Sequence, residues 1–233
     1  MMPSIIRAGL VAGLALTCSL LPRAVVAMPA IFETVEVRAD RQLALPQWRR
    51  VAQQVLAEAP IYRACAEAAP ACPSKATIAW QALLQDLQGQ DRLSQVRALN
   101  RFANRIPYRS DQEVWGRSDY WASPLEFLRR TGDCEDYAIL KYHSLRQLGV
   151  PASDMRMVVV QDTMRNLAHA VLVVLVDGRL LVMDNLTNAI MPQERTPHYV
   201  PYYSVNEEAR WAHLERGGQR LAALATGRPA PSR

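Results

Sequence analysis

The sequence predicts an α+β fold, with N-terminal helices and a helix that begins at a lone cysteine packed on an antiparallel β-sheet. Three observations carry this. Apolar residues recur at three- and four-residue steps at intervals from Trp48 to Leu148, the spacing of helices buried along one face. After Pro151 the texture changes to short runs rich in Val, Leu and Met, which suits strands. Between two of those runs stands Asp177-Gly178, a two-residue hairpin signal, so the sheet is antiparallel at that point.

The 233 residues suffice for one domain with a substantial core. The N-terminus reads as a secretory signal over residues 1–27: Arg7 is the positive region, Ala8 to Leu21 the apolar region, and Val25-Val26-Ala27 a small-residue cleavage site. The expectation is an exported protein whose single domain spans residues 28–233, not membrane-spanning after signal cleavage, with a frayed tail over residues 217–233. Losing the signal removes Arg7 and Arg23 and no acid, which takes the formal charge from +5 to +3. The arginines are scattered, and no basic run is interleaved with aromatics, so nucleic acid is not an expected partner.

In order, Gln47 to Ala59 predicts a helix with Trp48, Val51, Val55 and Leu56 on one stripe, ended by Pro60. Thr77 to Leu87 and Leu93 to Ile106 predict two more. Residues 107–122 have no period but many aromatic and polar groups, and a loop of that length is more often functional than not. Ser123-Pro124-Leu125-Glu126 is a well-formed helix start. Thr131-Gly132 then turns the chain, Asp133 stands at an N-cap position, and a helix runs from Cys134 to Leu148. Met155 to Gln161, Ala168 to Val176 and Arg179 to Asp184 predict strands, Tyr199 to Val205 an edge strand, and Glu207 to Arg216 a terminal helix.

Cysteine count singles out one residue. Cys65, Cys72 and Cys134 remain after the signal; a local Cys65–Cys72 disulfide in an oxidising compartment leaves Cys134 free. A thiol in the first turn of a helix faces unpaired N–H groups and the positive end of the helix dipole, both of which favour thiolate. The hairpin supplies its partners. With Asp177-Gly178 as the turn, Val176 faces Arg179, Val174 faces Leu181 and Val171 faces Asp184, so His169 is diagonal to Asp184 on the same sheet face, about 7–8 Å away between Cα atoms. Cys134, His169 and Asp184 thus form a candidate catalytic triad: the imidazole takes the thiol proton, and the carboxylate fixes its orientation. His143 lies nine residues after Cys134, about half a turn out of phase, and points away.

Asn100-Arg101-Phe102-Ala103-Asn104, Trp115-Gly116-Arg117-Ser118-Asp119-Tyr120-Trp121, Gly132-Asp133-Cys134-Glu135-Asp136-Tyr137-Ala138, Ala168-His169-Ala170-Val171-Leu172 and Leu181-Val182-Met183-Asp184-Asn185-Leu186 resemble the bacterial transglutaminase-like cysteine peptidases, and within them the LapG-type periplasmic adhesin proteases. The resemblance implies a papain-like, transglutaminase-type fold with Cys134, His169 and Asp184 as the triad. It also implies calcium dependence and cleavage of a large surface adhesin near its N-terminus, at a paired-alanine site. It further implies a periplasmic location and control of biofilm release by an inner-membrane cyclic di-GMP receptor that sequesters the protease.

Asp133, Glu135 and Asp136 complement the helix dipole, yet three negative charges beside a thiol oppose thiolate formation. A calcium ion on these carboxylates removes the conflict, with a second segment, such as residues 107–122, completing the ligand set. Two rival functions fit the same residues: a transglutaminase-type acyl transferase that passes the acyl group to an amine, and a non-catalytic calcium-responsive binding module.

Overall fold

The computed structural model describes residues 28–40 and 45–214. The expected signal peptide and the expected frayed tail lie outside the described residues. Six helices and a seven-stranded sheet follow one another as β1 (Val35–Asp40), α1 (Pro46–Glu67), α2 (Lys75–Leu87), α3 (Arg92–Ala103), α4 (Asp111–Trp115), α5 (Pro124–Arg130), α6 (Cys134–Gln147), β2 (Met155–Asp162), β3 (Leu167–Val176), β4 (Arg179–Met183), β5 (Met191–Pro192), β6 (Tyr199–Val205) and β7 (Ala209–Leu214). The sheet order is β1-β7-β6-β2-β3-β4-β5, with every pairing antiparallel. The expected α+β class stands.

Helix α6 is the centre of the molecule. From Asp136 to Leu145 every residue is buried, against α3 and α5 on one side and β2 and β3 on the other. Val174, Val176, Leu172 and Met157 meet it from the sheet, in one core with Trp80, Phe127 and Leu99 from the helical layer. Trp80 is wholly buried, and its indole N–H donates to Ser144 Oγ at 2.8 Å, which ties α2 to α6. The opposite sheet face carries Val158, Val160, Val171 and Val173, covered by Ile31 and Phe32 of the N-terminal turn.

The hairpin register is the expected one: Val176 pairs Arg179 and Val174 pairs Leu181. The ladder ends at Leu172 and Met183, one pair short of Asp184. Asp177 and Gly178 both have positive φ, 48° and 78°, as a turn matched to sheet twist requires. Cys65 and Cys72 form a disulfide, and Cys134 is free.

Four expectations need correction. Helix α1 does not end at Pro60 but continues to Glu67. The proline costs about 3 kcal/mol in a helix interior, offset here by contacts beyond it: Tyr62 packs edge-on to Trp80 at 5.6 Å and donates to Glu58 Oε2 at 2.6 Å, and the disulfide fixes Cys65. Residues 107–122 contain α4, started by a Ser110–Glu113 capping box. β6 is an interior strand, between β7 and β2. The expected helix from Glu207 is β7 over Ala209–Leu214, where Ala209, Trp211 and His213 alternate inward and both edges are paired, to β6 and β1. β1, from residues with no sustained period, completes that end of the sheet.

Candidate active site

Cys134 enters the site as the first residue of α6. Asp133 caps the helix in a reciprocal box with Asp136, which fixes the first turn. The approach is too tight for any residue but glycine at 132: a Cβ there would lie 1.8 Å from Asp136 Oδ2. Gly132 also bridges to Tyr108, and its carbonyl accepts from Arg109 N–H at 2.9 Å, which pins the 107–110 segment beside the cysteine.

The half-buried Cys134 and the buried His169 line one cleft of about 400 Å³, with Tyr108, Arg165, Asn185 and Leu186 among its walls. His169 stands on β3, next to Ala170, whose backbone N–H favours the ionised form of Cys134. Asp184, immediately after β4, accepts from His169 Nε2 at 2.9 Å. That bond assigns the proton to Nε2 and leaves Nδ1 as the acceptor for a thiol proton. The carboxylate is held by two further donors, Leu186 N–H at 3.0 Å and the Tyr199 hydroxyl. Burial opposes its charge, but the His169 bond and these donors outweigh it and hold Asp184 at about 2. The neighbourhood read from turn geometry is therefore a direct hydrogen bond.

The other side of the cysteine is electrostatically opposite. Carboxylate oxygens of Asp111, Asp133 and Asp136 lie within 4.8 Å of one another, and a second cluster joins Asp133, Cys134 and Glu135. Asp136 is anchored by Ala122 N–H at 2.6 Å and Asp133 N–H at 3.2 Å, and Asp111 by Tyr120 N–H. Asp111 Oδ1 and Asp133 Oδ1 are buried with no partner. Burial, with repulsion from Glu135 and Asp119, pushes Asp133 up to about 9. Burial, with repulsion from Asp133 and Asp119, pushes Asp111 up to about 7. Glu135 and Asp136 are raised too, by burial first. The thiol follows: burial, Glu135 and Asp133 raise Cys134 well above the usual thiol value, and it donates to Glu135 Oε2 at 3.1 Å.

All six residues named from the sequence converge here, while His143 faces away and stacks on Trp48 at 6.2 Å. His213, expected on a helix, bonds Thr34 and Ser204 between strands. Sequence reasoning missed Asp111 and Tyr199. Asp111 had a faint signal, an acid directly after the potential cap Ser110 in a segment already suspected of closing the carboxylate site. Tyr199 had none, because its approach to Asp184 depends on β6 being an interior strand.

A helix-start thiol, a histidine on the facing strand and a carboxylate behind it are the layout of a transglutaminase-like cysteine peptidase. Residues 53–219 match the family of bacterial transglutaminase-like cysteine proteinases, and the chain belongs to that family. Among solved structures it is similar to Legionella pneumophila LapG, with 31% identity over 65% of this chain and 87% of that one, at a TM-score of 0.58. The calcium-bound form of the same protein matches at 35% identity over 59% and 78%, with a TM-score of 0.54. The EGTA-treated form matches at 31% over 65% and 84%, with a TM-score of 0.58. No curated protein matches the chain.

Proposed function

We propose that this protein is an exported, calcium-dependent cysteine endopeptidase that works in the periplasm. On this reading it cleaves a large surface adhesin near its N-terminus, and an inner-membrane cyclic di-GMP receptor that sequesters it controls attachment and release. The observation that carries the peptidase chemistry is the 2.9 Å His169–Asp184 bond in the cleft that also holds Cys134.

Cys134 Sγ gives its proton to His169 Nδ1 and attacks the scissile carbonyl. The backbone N–H of Cys134, in the first turn of α6, suits the developing oxyanion. Collapse of the intermediate expels the amine, which leaves with the proton from His169. Water then releases the acyl group from the sulfur, with His169 as base. Throughout, Asp184 keeps the imidazole in the required tautomer and stabilises its charged form.

The carboxylate cluster fits a calcium ion. Its donors are hard oxygens from two segments, two of them buried without partners, and the raised proton affinities mark negative charge in excess of its compensation. Asp111, Asp133 and Asp136 would hold the ion, with Glu135 on the thiol side. When bound, it would supply the positive charge that lets the thiol ionise beside these acids. Similarity to a LapG with a calcium-bound form supports this reading. The adhesin, the receptor and the periplasmic location rest on the LapG-type resemblance and on the signal-like N-terminus.

Cys134→Ala tests the catalytic assignment. With N-terminal fragments of a candidate adhesin and added calcium, the parent chain should yield a defined cut that the variant does not. Cutting by the variant would exclude Cys134 as nucleophile. Incorporation of a labelled amine in place of hydrolysis would favour acyl transfer.

A further inference from the structure

The cleft that holds Cys134 and His169 is walled mostly by uncharged groups. Apart from the histidine, one basic side chain lines it, Arg165. Arg165 is exposed and makes no ion pair with any other described residue. A guanidinium presents a planar fork of donors that matches a carboxylate. Here that fork opens on the cleft where a substrate must lie, with no acid of the protein paired to it.

The arginine is carried on a built turn. It lies in the four-residue connection 163–166 between β2 and β3. The buried Asp162 accepts from the backbone N–H groups of Met164 and Arg165, at 3.0 and 3.1 Å. Thr163 N–H donates to His198 O at 3.0 Å, and Asn166 closes the turn at a φ of 53°. Alternation along β3 then places Leu167 on the face that carries His169. The turn is thus fixed relative to the catalytic histidine, and a contact made from it is organised before substrate arrives.

The rest of the rim is apolar. Of the nine large apolar side chains exposed among the described residues, Tyr108, Leu167 and Leu186 line this cleft, and Met164 directly precedes Arg165. Exposed apolar surface gathered at one place marks a binding site. At about 400 Å³ the cleft is at the small end of ligand pockets, roughly 300–1,000 Å³, so it takes a short stretch of chain. We propose that Arg165 is a specificity-determining residue, which selects peptide segments carrying an Asp or Glu side chain within about three residues of the scissile bond, with apolar neighbours against Tyr108, Leu167 and Leu186. The proposal deepens the peptidase reading and rests on it.

The test is cleavage profiling of a peptide library with the calcium-loaded chain, the cut ends being read by mass spectrometry. Acidic residues should be enriched at one position near the cut. In a synthetic pair differing only by Glu or Gln at that position, the Glu peptide should have the higher kcat/KM, by about fivefold, as an exposed ion pair supplies. Arg165→Gln should collapse that ratio to about one, and Arg165→Glu should invert it in favour of a Lys peptide. A merely structural role for Arg165 would lower both rates together and keep the ratio. No acidic enrichment in the parent chain, or a ratio unchanged in Arg165→Gln, would overturn the proposal. Absence of any cleavage by the parent chain would strike instead at the peptidase reading. Binding of labelled Cys134→Ala to an array of random heptapeptides then decides the proposal without turnover: acid-bearing spots should be preferred, and the preference should vanish with Arg165→Gln. Its absence, or its persistence in that variant, would equally overturn the proposal.

Discussion

The two sides of Cys134 are built on opposite principles. On the sheet side, Asp184 has donors from His169, Leu186 and Tyr199 and is held at about 2, so the pair is organised by the protein alone. On the helix side, Asp111, Asp133 and Asp136 crowd together with two buried oxygens unpartnered, and Asp133 is held at about 9. A folded chain tolerates uncompensated buried carboxylates only by protonating them or by borrowing a cation. The difference therefore teaches which half of the site is complete on folding and which half is open to external control.

Breaking the complete half should have the largest effect. Asp184→Asn keeps the shape but favours the wrong imidazole tautomer, and kcat/KM should fall on the order of 10³-fold or more, measured on the adhesin fragment, with the calcium response of stability intact. A fall of only a few-fold would mean that His169 is oriented by other groups.

The open half predicts a smaller effect on stability. Groups whose folded pKa is raised stabilise the fold fully below the ordinary carboxylate value of about 4, and that stability is lost as pH rises through the folded value. For Asp111 and Asp133 the window runs upward to about 7 and about 9. In chelator, thermal stability should therefore fall between about pH 4 and pH 9. Saturating calcium should restore it, by roughly 5–10 °C at a hundredfold excess over Kd, most strongly at the alkaline end. Asp111→Asn should abolish most of that calcium increment; an undiminished increment would place the ion elsewhere.

How far the sequence reveals this contrast differs between the halves. The His169–Asp184 pairing was legible because a two-residue turn fixes strand register by count, and Asp177-Gly178 leaves one register for Val174 and Leu181. Cys134 was legible from the helix start and from the leftover cysteine. The carboxylate half was only partly legible. Asp133 and Asp136 are local to the helix turn, whereas Asp111 arrives from 22 residues upstream through a contact to Asp133 that no local period encodes. β7 was misread for a related reason. Ala209 to Leu214 has an alternation too short to outweigh helix-forming neighbours, and its strand state depends on partners as distant in sequence as Val35–Asp40. Likewise, the run of α1 through Pro60 depends on Trp80 and on Cys72, the disulfide partner of Cys65, both outside the helix.

The central claim is that the reactivity of Cys134 depends on the charge state of the acids beside it. The most direct measurement is the alkylation rate of Cys134, the free cysteine of the described residues, as a function of pH, with calcium and with chelator. The account predicts a thiol that reacts slowly at neutral pH in chelator, because burial together with the Glu135 and Asp133 charges holds it protonated, and a profile displaced to lower pH when calcium is added and offsets those charges. Superimposable profiles in the two conditions would contradict it.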